Sequence, residues 1–345
     1  MSRLPAGHNA RRLGSLSDEE LLRMRFCDLG LTLRRPPVAR ALRRLYRELE
    51  QRGIPFKPHA WLSEEWFSPD GVPGIAIPFF LAHPRLEQLE RRMSQEVEGG
   101  NAKWLMRILR HEAGHAVDTA YRLRRRKRWR EVFGPASLPY PERYRARPGS
   151  RRYVHHLGDW YAQAHPTEDF AETFAVWLQP NSGWRRDYAE WPALAKLELV
   201  DEFMREVRHR RPAVRARSRI EPIDENRRTL GEHYRRRHAQ RVRIRRSLAD
   251  DLLRKVFSSA PARRDTVRAG SFLREAKPQL VASLAREEGI DRYTVYQMIR
   301  RAIDRSEHMD LWVRGSRRDA LRNARWLLRR MIALYSGTES PTISL

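Results

Sequence analysis

Apolar residues recur at helical spacing along several stretches of the chain. Val38, Leu42, Leu45, Tyr46 and Leu49 follow Pro36-Pro37 and lead to Gly53, the pattern of a helix opened by proline and stopped by glycine. Residues 54–62 and 72–81 read as strands, the first by partial alternation and the second as a nearly continuous apolar run. Asp70-Gly71 marks a turn between them, and the two strands are predicted to pair. Pro84 opens another helix, closed by Gly99-Gly100, and Asn101 is suited to cap the next, from about 102 past Tyr121. Residues 124–130 are strongly basic and read as a solvated run, and 133–152, rich in Pro, Gly and Arg, as loop. Helices follow Pro166, ending near Pro180, and Pro192, with Leu194, Leu197, Phe203, Met204 and Val207. Further helical patterns cover 272–288, 291–306 and 317–336.

The predicted fold class is therefore α+β and predominantly helical, with a small sheet. A chain of 345 residues, 41% hydrophobic and with 10 Trp, can bury a sizeable core. Its net charge is +26, and residues 205–345 hold 35 Lys+Arg against 17 Asp+Glu, which is 35 − 17 = +18 of that total. This divides the chain into a flexible basic tail (1–17), a main domain (18–204) and a basic helical C-terminal region (205–345), with 212–219 as a linker. In the last region Val295, Ile299, Ile303, Leu321, Leu328 and Ile332 are placed inside a small helical bundle with arginines outside. A helix-turn-helix at 291–305 is the alternative. Such charge admits an acidic partner or nucleic acid through the C-terminal region, and anionic membrane surfaces. The single cysteine, Cys27, excludes a disulfide within the chain and fits a reducing compartment. The N-terminus lacks an apolar signal core, and the longest apolar run, 74–82, is interrupted by Pro78 and too short to span a bilayer. The expectation is a soluble, cytoplasmic chain.

The chemistry concentrates in two motifs. In His111-Glu112-Ala113-Gly114-His115 the two histidines are four apart, so on a helix both imidazoles share one face and can reach one metal ion. Glu112 is rotated by roughly one hundred degrees from His111, beside that ion, where a carboxylate can take a proton from bound water. A catalytic zinc needs three protein ligands and an open position, and this helix supplies two. The second motif, His165-Pro166-Thr167-Glu168-Asp169-Phe170-Ala171-Glu172-Thr173-Phe174-Ala175, supplies carboxylates four apart on one face, with Phe170, Phe174 and Trp177 on another. Glu168 is assigned as the third ligand and Glu172 as the acceptor of a ligand histidine's second N–H, fixing its tautomer. His155 and His156 read as loop residues without a metal role. Asp118 and Asp169 are open as outer supports of the site.

Together the two motifs resemble the gluzincin zinc-binding metallopeptidases, closest to the subgroup that holds anthrax lethal factor and the Mlc titration factor peptidases. The resemblance covers residues 100–180. It implies a zincin-like catalytic domain with an active-site helix and one zinc per chain. The E-x-F-A-E helix form makes Glu168 the third ligand, with Glu172 behind the site. The subgroup's tyrosine, seven residues before the ligand glutamate, falls on Tyr161, whose phenol would donate to the developing oxyanion. Strand 74–81 would be the edge strand that receives extended substrate.

The function read from the chain is a zinc-dependent peptidase, cleaving peptide bonds by Glu112-assisted attack of zinc-bound water with Tyr161 on the oxyanion. The alternative is a nucleic-acid- or protein-binding module whose zincin-like domain is inactive or structural.

Overall fold

A computed structural model describes residues 13–94, 96–243, 248–263, 266–288, 290–336 and 342–344. It is predominantly helical, as the periodicity predicts, and its described residues fall into two compact units. The first comprises 1–139, 152–157 and 165–240, and the second 140–151, 158–164 and 241–345. No helix among the described residues is long and apolar enough to cross a membrane.

The first unit is built on two helices. Ala102–Tyr121 (α4) is capped by Asn101, whose side-chain oxygen accepts the Trp104 amide at 2.9 Å. Pro166–Leu178 (α6) begins with proline at its first position, where no backbone donor is lost, and His165 caps it by accepting the Thr167 amide. Almost every residue of α6 is buried, which suits a central helix wrapped on all sides. Around this pair pack Asp18–Arg23 (α1), Pro36–Gln51 (α2), Pro84–Ser94 (α3), Lys127–Phe133 (α5), Trp184–Asp187 (α7) and Ala193–Val207 (α8). Asp18–Arg23 starts with a capping box between Ser17 and Glu20, and Leu13 ahead of it is buried. Residues 1–12 of the expected tail lie outside the described residues.

The basic run after α4 is structured. Trp129 is fully buried against Phe133 and Phe170, while Arg124 turns back to donate to the buried Asp118 at 2.6 Å. The guanidiniums pair with acids or point outward, and the apolar side of a short helix does the packing.

The small sheet consists of His59–Ser63 (β1) and Gly74–Pro78 (β2), which pair as predicted but run parallel, with His59 opposite Gly74 and Ser63 opposite Pro78. The apolar run continues as a 3₁₀ turn, Phe79–Ala82, because Pro78 has no amide to extend the ladder. Neither edge of this pair is open. Ala76 N–H donates to the Phe67 carbonyl at 2.8 Å on the far side of β2, and Ile223 N–H donates to the Leu62 carbonyl of β1 at 3.0 Å. The expectation that β2 receives substrate as an edge strand is therefore corrected: the chain's own connections cover both strands, and β2 is wholly buried.

Residues 205–240 pack with the first unit. The expected linker, 212–219, is pinned to it: Val214 N–H donates to the Ala120 carbonyl at 3.0 Å. After Leu230–Arg243 (α9), the second unit holds Leu248–Val256 (α10), Ala269–Glu288 (α11), Arg292–His308 (α12) and Arg317–Ser336 (α13). Val295, Ile299, Ile303, Leu328 and Ile332 are buried in its apolar cluster, and Leu321 is partly buried against it. Residues 140–151 and 158–164 join this cluster through Tyr144 and Trp160, and Arg143–Arg145 (β3) pairs antiparallel with Thr342–Ser344 (β4).

Candidate metal centre

The two motif helices approach each other closely at Gly114. A Cβ built there would lie 2.9 Å from Ala171 Cα and 3.1 Å from Ala171 O. Only glycine lets the backbones come this near, and the contact sets the His111 and His115 turn of α4 against the Glu168–Glu172 turn of α6.

Across that approach three ligand atoms converge. His111 Nε2 lies 2.9 Å from Glu168 Oε2, His115 Nε2 lies 3.2 Å from the same oxygen, and the two Nε2 atoms are 3.1 Å apart. A tetrahedral zinc with bonds of about 2.0–2.1 Å holds its ligand atoms about 3.3 Å apart. The triangle thus matches one face of such an ion to within a few tenths of an ångström. It leaves the fourth corner to water or substrate.

The support behind the triangle is equally definite. His111 Nδ1 meets Glu172 Oε1 at 2.9 Å, and Leu157 N–H donates to Glu172 Oε2 at 2.7 Å. With Nδ1–H donating to the carboxylate, a cation that displaced the Nε2 proton of His111 would meet a lone pair facing Glu168 and His115. Burial by itself would lower the His111 pKa, but the hydrogen bonds and charges of Glu168 and Glu172 outweigh it and hold the imidazole well above its ordinary value. Burial would likewise raise Glu168, yet the charge of His115 and hydrogen bonds from both histidines hold it well below the carboxylate range.

Glu112 is buried, and its Oε2 has no hydrogen-bond partner among the described residues. Burial raises its pKa, partly offset by the neighbouring histidines. Three buried carboxylates, Glu112, Glu168 and Glu172, around two imidazoles carry a surplus of negative charge that a divalent cation would neutralise. An orphaned carboxylate oxygen beside the ligand triangle would gain a partner in water at the fourth corner. The donor set, its spacing and its charge all fit zinc.

The remaining predicted residues divide. Asp118 accepts from the Arg124 amide at 2.7 Å and closes the end of α4. Asp169 takes the Lys196 ammonium at 2.6 Å, and burial pushes its carboxyl up to about 7. Neither belongs to the ligand triangle. His155 and His156 belong to the stretch 152–157 and not to the ligand triangle. His156 Nε2 donates to the Arg107 carbonyl at 2.8 Å, and burial lowers its pKa to about 4. Tyr161 lies on the turn Tyr161–Gln163 of the second unit and packs against that unit's apolar cluster.

Three contributors were not identified from sequence. Gly114 had a visible signal, a glycine inside a helical motif, which often marks close packing. The Leu157 amide and Lys196 had none, because a backbone donor and a lone lysine acquire their roles only through the tertiary fold. Lys196 also donates to the Arg152 carbonyl at 2.7 Å, tying 152–157 to α6 through Asp169.

Residues 87–184 match a family model described as "Putative zinc-binding metallo-peptidase". The match contains both motifs and the stretch between them, so α4, α6 and 152–157 are similar to a metallopeptidase family as one block. No curated protein and no solved structure matches the chain.

Proposed function

We propose that this chain is a zinc-dependent peptidase of the gluzincin type, with one zinc held by His111, His115 and Glu168. The observation that carries the reading is the ligand triangle on two helices beside the buried Glu112 Oε2, which has no partner among the described residues. The family match, which spans the same residues, supports a protein substrate.

When bound, zinc supplies a Lewis acid that polarises the scissile carbonyl and lowers the pKa of a coordinated water from about 15.7 towards 7. The chain's own groups do the rest. Glu112 Oε2 takes the proton from the attacking water and delivers it to the leaving amine, a task helped by the raised pKa that burial gives it. Glu172 fixes the His111 tautomer and is itself held by the Leu157 amide. The Tyr161 phenol, seven residues before Glu168, is the candidate donor to the oxyanion, and the support for it is the resemblance in sequence.

The test is Glu112→Gln assayed on a peptide library with zinc content measured in parallel. Loss of turnover with zinc retained supports the assignment. Full turnover in the variant would remove Glu112 as the base. Zinc retention with no cleavage by the unaltered chain would favour an inactive, binding role for the domain.

A further inference from the structure

By sequence the positive charge peaks in the C-terminal region, but the structure distributes it differently. In the second unit many guanidiniums face acids: Arg305 meets Asp250, Arg274 meets Glu307, Arg317 meets Glu275, and Arg325 and Arg329 share Glu287. The first unit carries a different kind of surface. Residues 208–219 hold six arginines and no acid. They form neither helix nor strand and lie over the ends of α2 and α4, fixed mainly by backbone contacts. His209 N–H donates to the Gly53 carbonyl at 3.1 Å, Val214 N–H to the Ala120 carbonyl at 3.0 Å, and the Tyr121 hydroxyl to the Arg210 carbonyl at 3.0 Å. His59 meets the Ser218 carbonyl at 2.9 Å.

With the backbone so occupied, the side chains are left to solvent. Arg208, Arg210, Arg211 and Arg217 are exposed and have no acid partner among the described residues. The Arg208 side chain lies over Gly53, just past the end of α2, since a Cβ there would meet its Nε at 2.5 Å. Arg217 reaches the neighbourhood of Tyr46 on α2. On that helix Arg43 and Arg47 are also exposed and have no acid partner among the described residues, while its acids are engaged: Glu48 binds Arg110 and Arg44, and Glu50 faces Lys57. The first unit therefore presents a band of unneutralised guanidiniums along α2 and the segment 208–219 that lies over its end.

We propose that this face, α2 together with 208–219, binds the phosphate backbone of double-stranded nucleic acid without regard to sequence. Six of the 69 basic residues are lysine and the rest arginine, the side chain whose planar fork matches phosphate oxygens. Ile220 is the exposed large apolar residue beside the band, and no exposed aromatic lies in it among the described residues. That disfavours insertion into a lipid surface, and it leaves no platform on which unpaired bases could stack. The face is independent of the peptidase reading, so either can fail alone.

The test uses the intact chain and a fluorescent mixed-sequence DNA duplex, with anisotropy followed across a KCl series. Substituting Arg208, Arg210, Arg211 and Arg217 by Gln removes four charges. Substituting Arg286, Arg292, Arg314 and Arg318, which are exposed in the second unit, removes the same four as a control. Melting curves confirm that both variants fold. The first variant is expected to weaken binding on the order of 100-fold and to flatten the slope of log K against log salt by about 3.6, at 0.9 per phosphate contact. The control should change affinity by less than threefold. Equal weakening in both variants would overturn the proposal, because general charge would then account for binding. Absence of duplex binding at low salt would overturn it outright. Tighter binding to polyglutamate or to anionic vesicles than to the duplex at equal salt would reassign the face to an acidic protein or a membrane.

Discussion

Replacing Gly114 by alanine places a methyl carbon 2.9 Å from Ala171 Cα, 3.1 Å from its carbonyl oxygen and 3.3 Å from its Cβ. Ordinary van der Waals contact begins near 3.4 Å, so α4 and α6 must part by about half an ångström at that level. Two of the three obstructing atoms are backbone, and no rotamer change can relieve them. Overpacking of this kind costs about 1–3 kcal/mol. The better helix propensity of alanine returns roughly 1 kcal/mol of that. Net destabilisation is therefore small, about 0–2 kcal/mol by difference. The effect on the metal is larger, because His115 follows Gly114 directly and Glu168 lies on the opposite helix. Zinc sites tolerate departures of about 0.2 Å in ligand distance, less than half of the required shift. Zinc affinity should fall on the order of tenfold or more, the scale on which disturbed ligand support acts. Competition against a chromophoric chelator measures it, with a melting curve for the fold. Gly14→Ala, where a Cβ meets nothing within 4 Å, is the control. Zinc affinity within twofold of the unaltered chain, with an unchanged melting temperature, would refute the claim that this contact sets the ligand geometry.

Two further outcomes follow from buried charge. Arg110, one residue before His111, donates to Glu48 at 2.7 and 2.8 Å with both groups buried. Arg110→Leu leaves the buried Glu48 carboxylate to the half-exposed Arg44 and should cost about 3 kcal/mol, the lower end for a broken buried pair, measured by denaturant unfolding. For His156, burial lowers the folded pKa to about 4 from an ordinary 6.5, so the unfolded chain binds the extra proton between those values. Its contribution is full above pH 6.5 and disappears as pH falls towards 4, about 3 kcal/mol in all at 1.36 kcal/mol per unit. Asp169, raised to about 7, contributes a slope of opposite sign over the same window, so the readout is a difference: the stability of the unaltered chain relative to His156→Gln should rise by about 3 kcal/mol between pH 4 and 6.5, and a difference that does not change with pH would contradict the assignment.

The helices were readable because their signals are local. Pro36, Pro84, Asn101 and Pro166 each stand where a helix begins, and the four-residue spacings of His111/His115 and Glu168/Glu172 fix which side chains share a face. That a carboxylate from α6 meets imidazoles from α4 was legible from the chemistry a zinc demands. What could not be read is tertiary. Asp70-Gly71 signalled a turn, but strand direction depends on where Phe67 pairs, and that residue bridges to Ala76 in mid-strand. Residues 124–130 looked solvated from charge alone, because Trp129 is one buried side chain among exposed ones. The change in composition at 205 marks charge, and the backbone hydrogen bonds that hold residues 209, 214 and 223 to the first unit leave no trace in hydropathy.

Elemental analysis of the purified full-length chain, beside Glu168→Ala, addresses the metal centre most directly. One zinc per chain, retained through dialysis and lost or greatly weakened in the variant, is the predicted result. A metal-free chain that takes up no added zinc, or a variant that holds zinc as firmly as the unaltered protein, would contradict it.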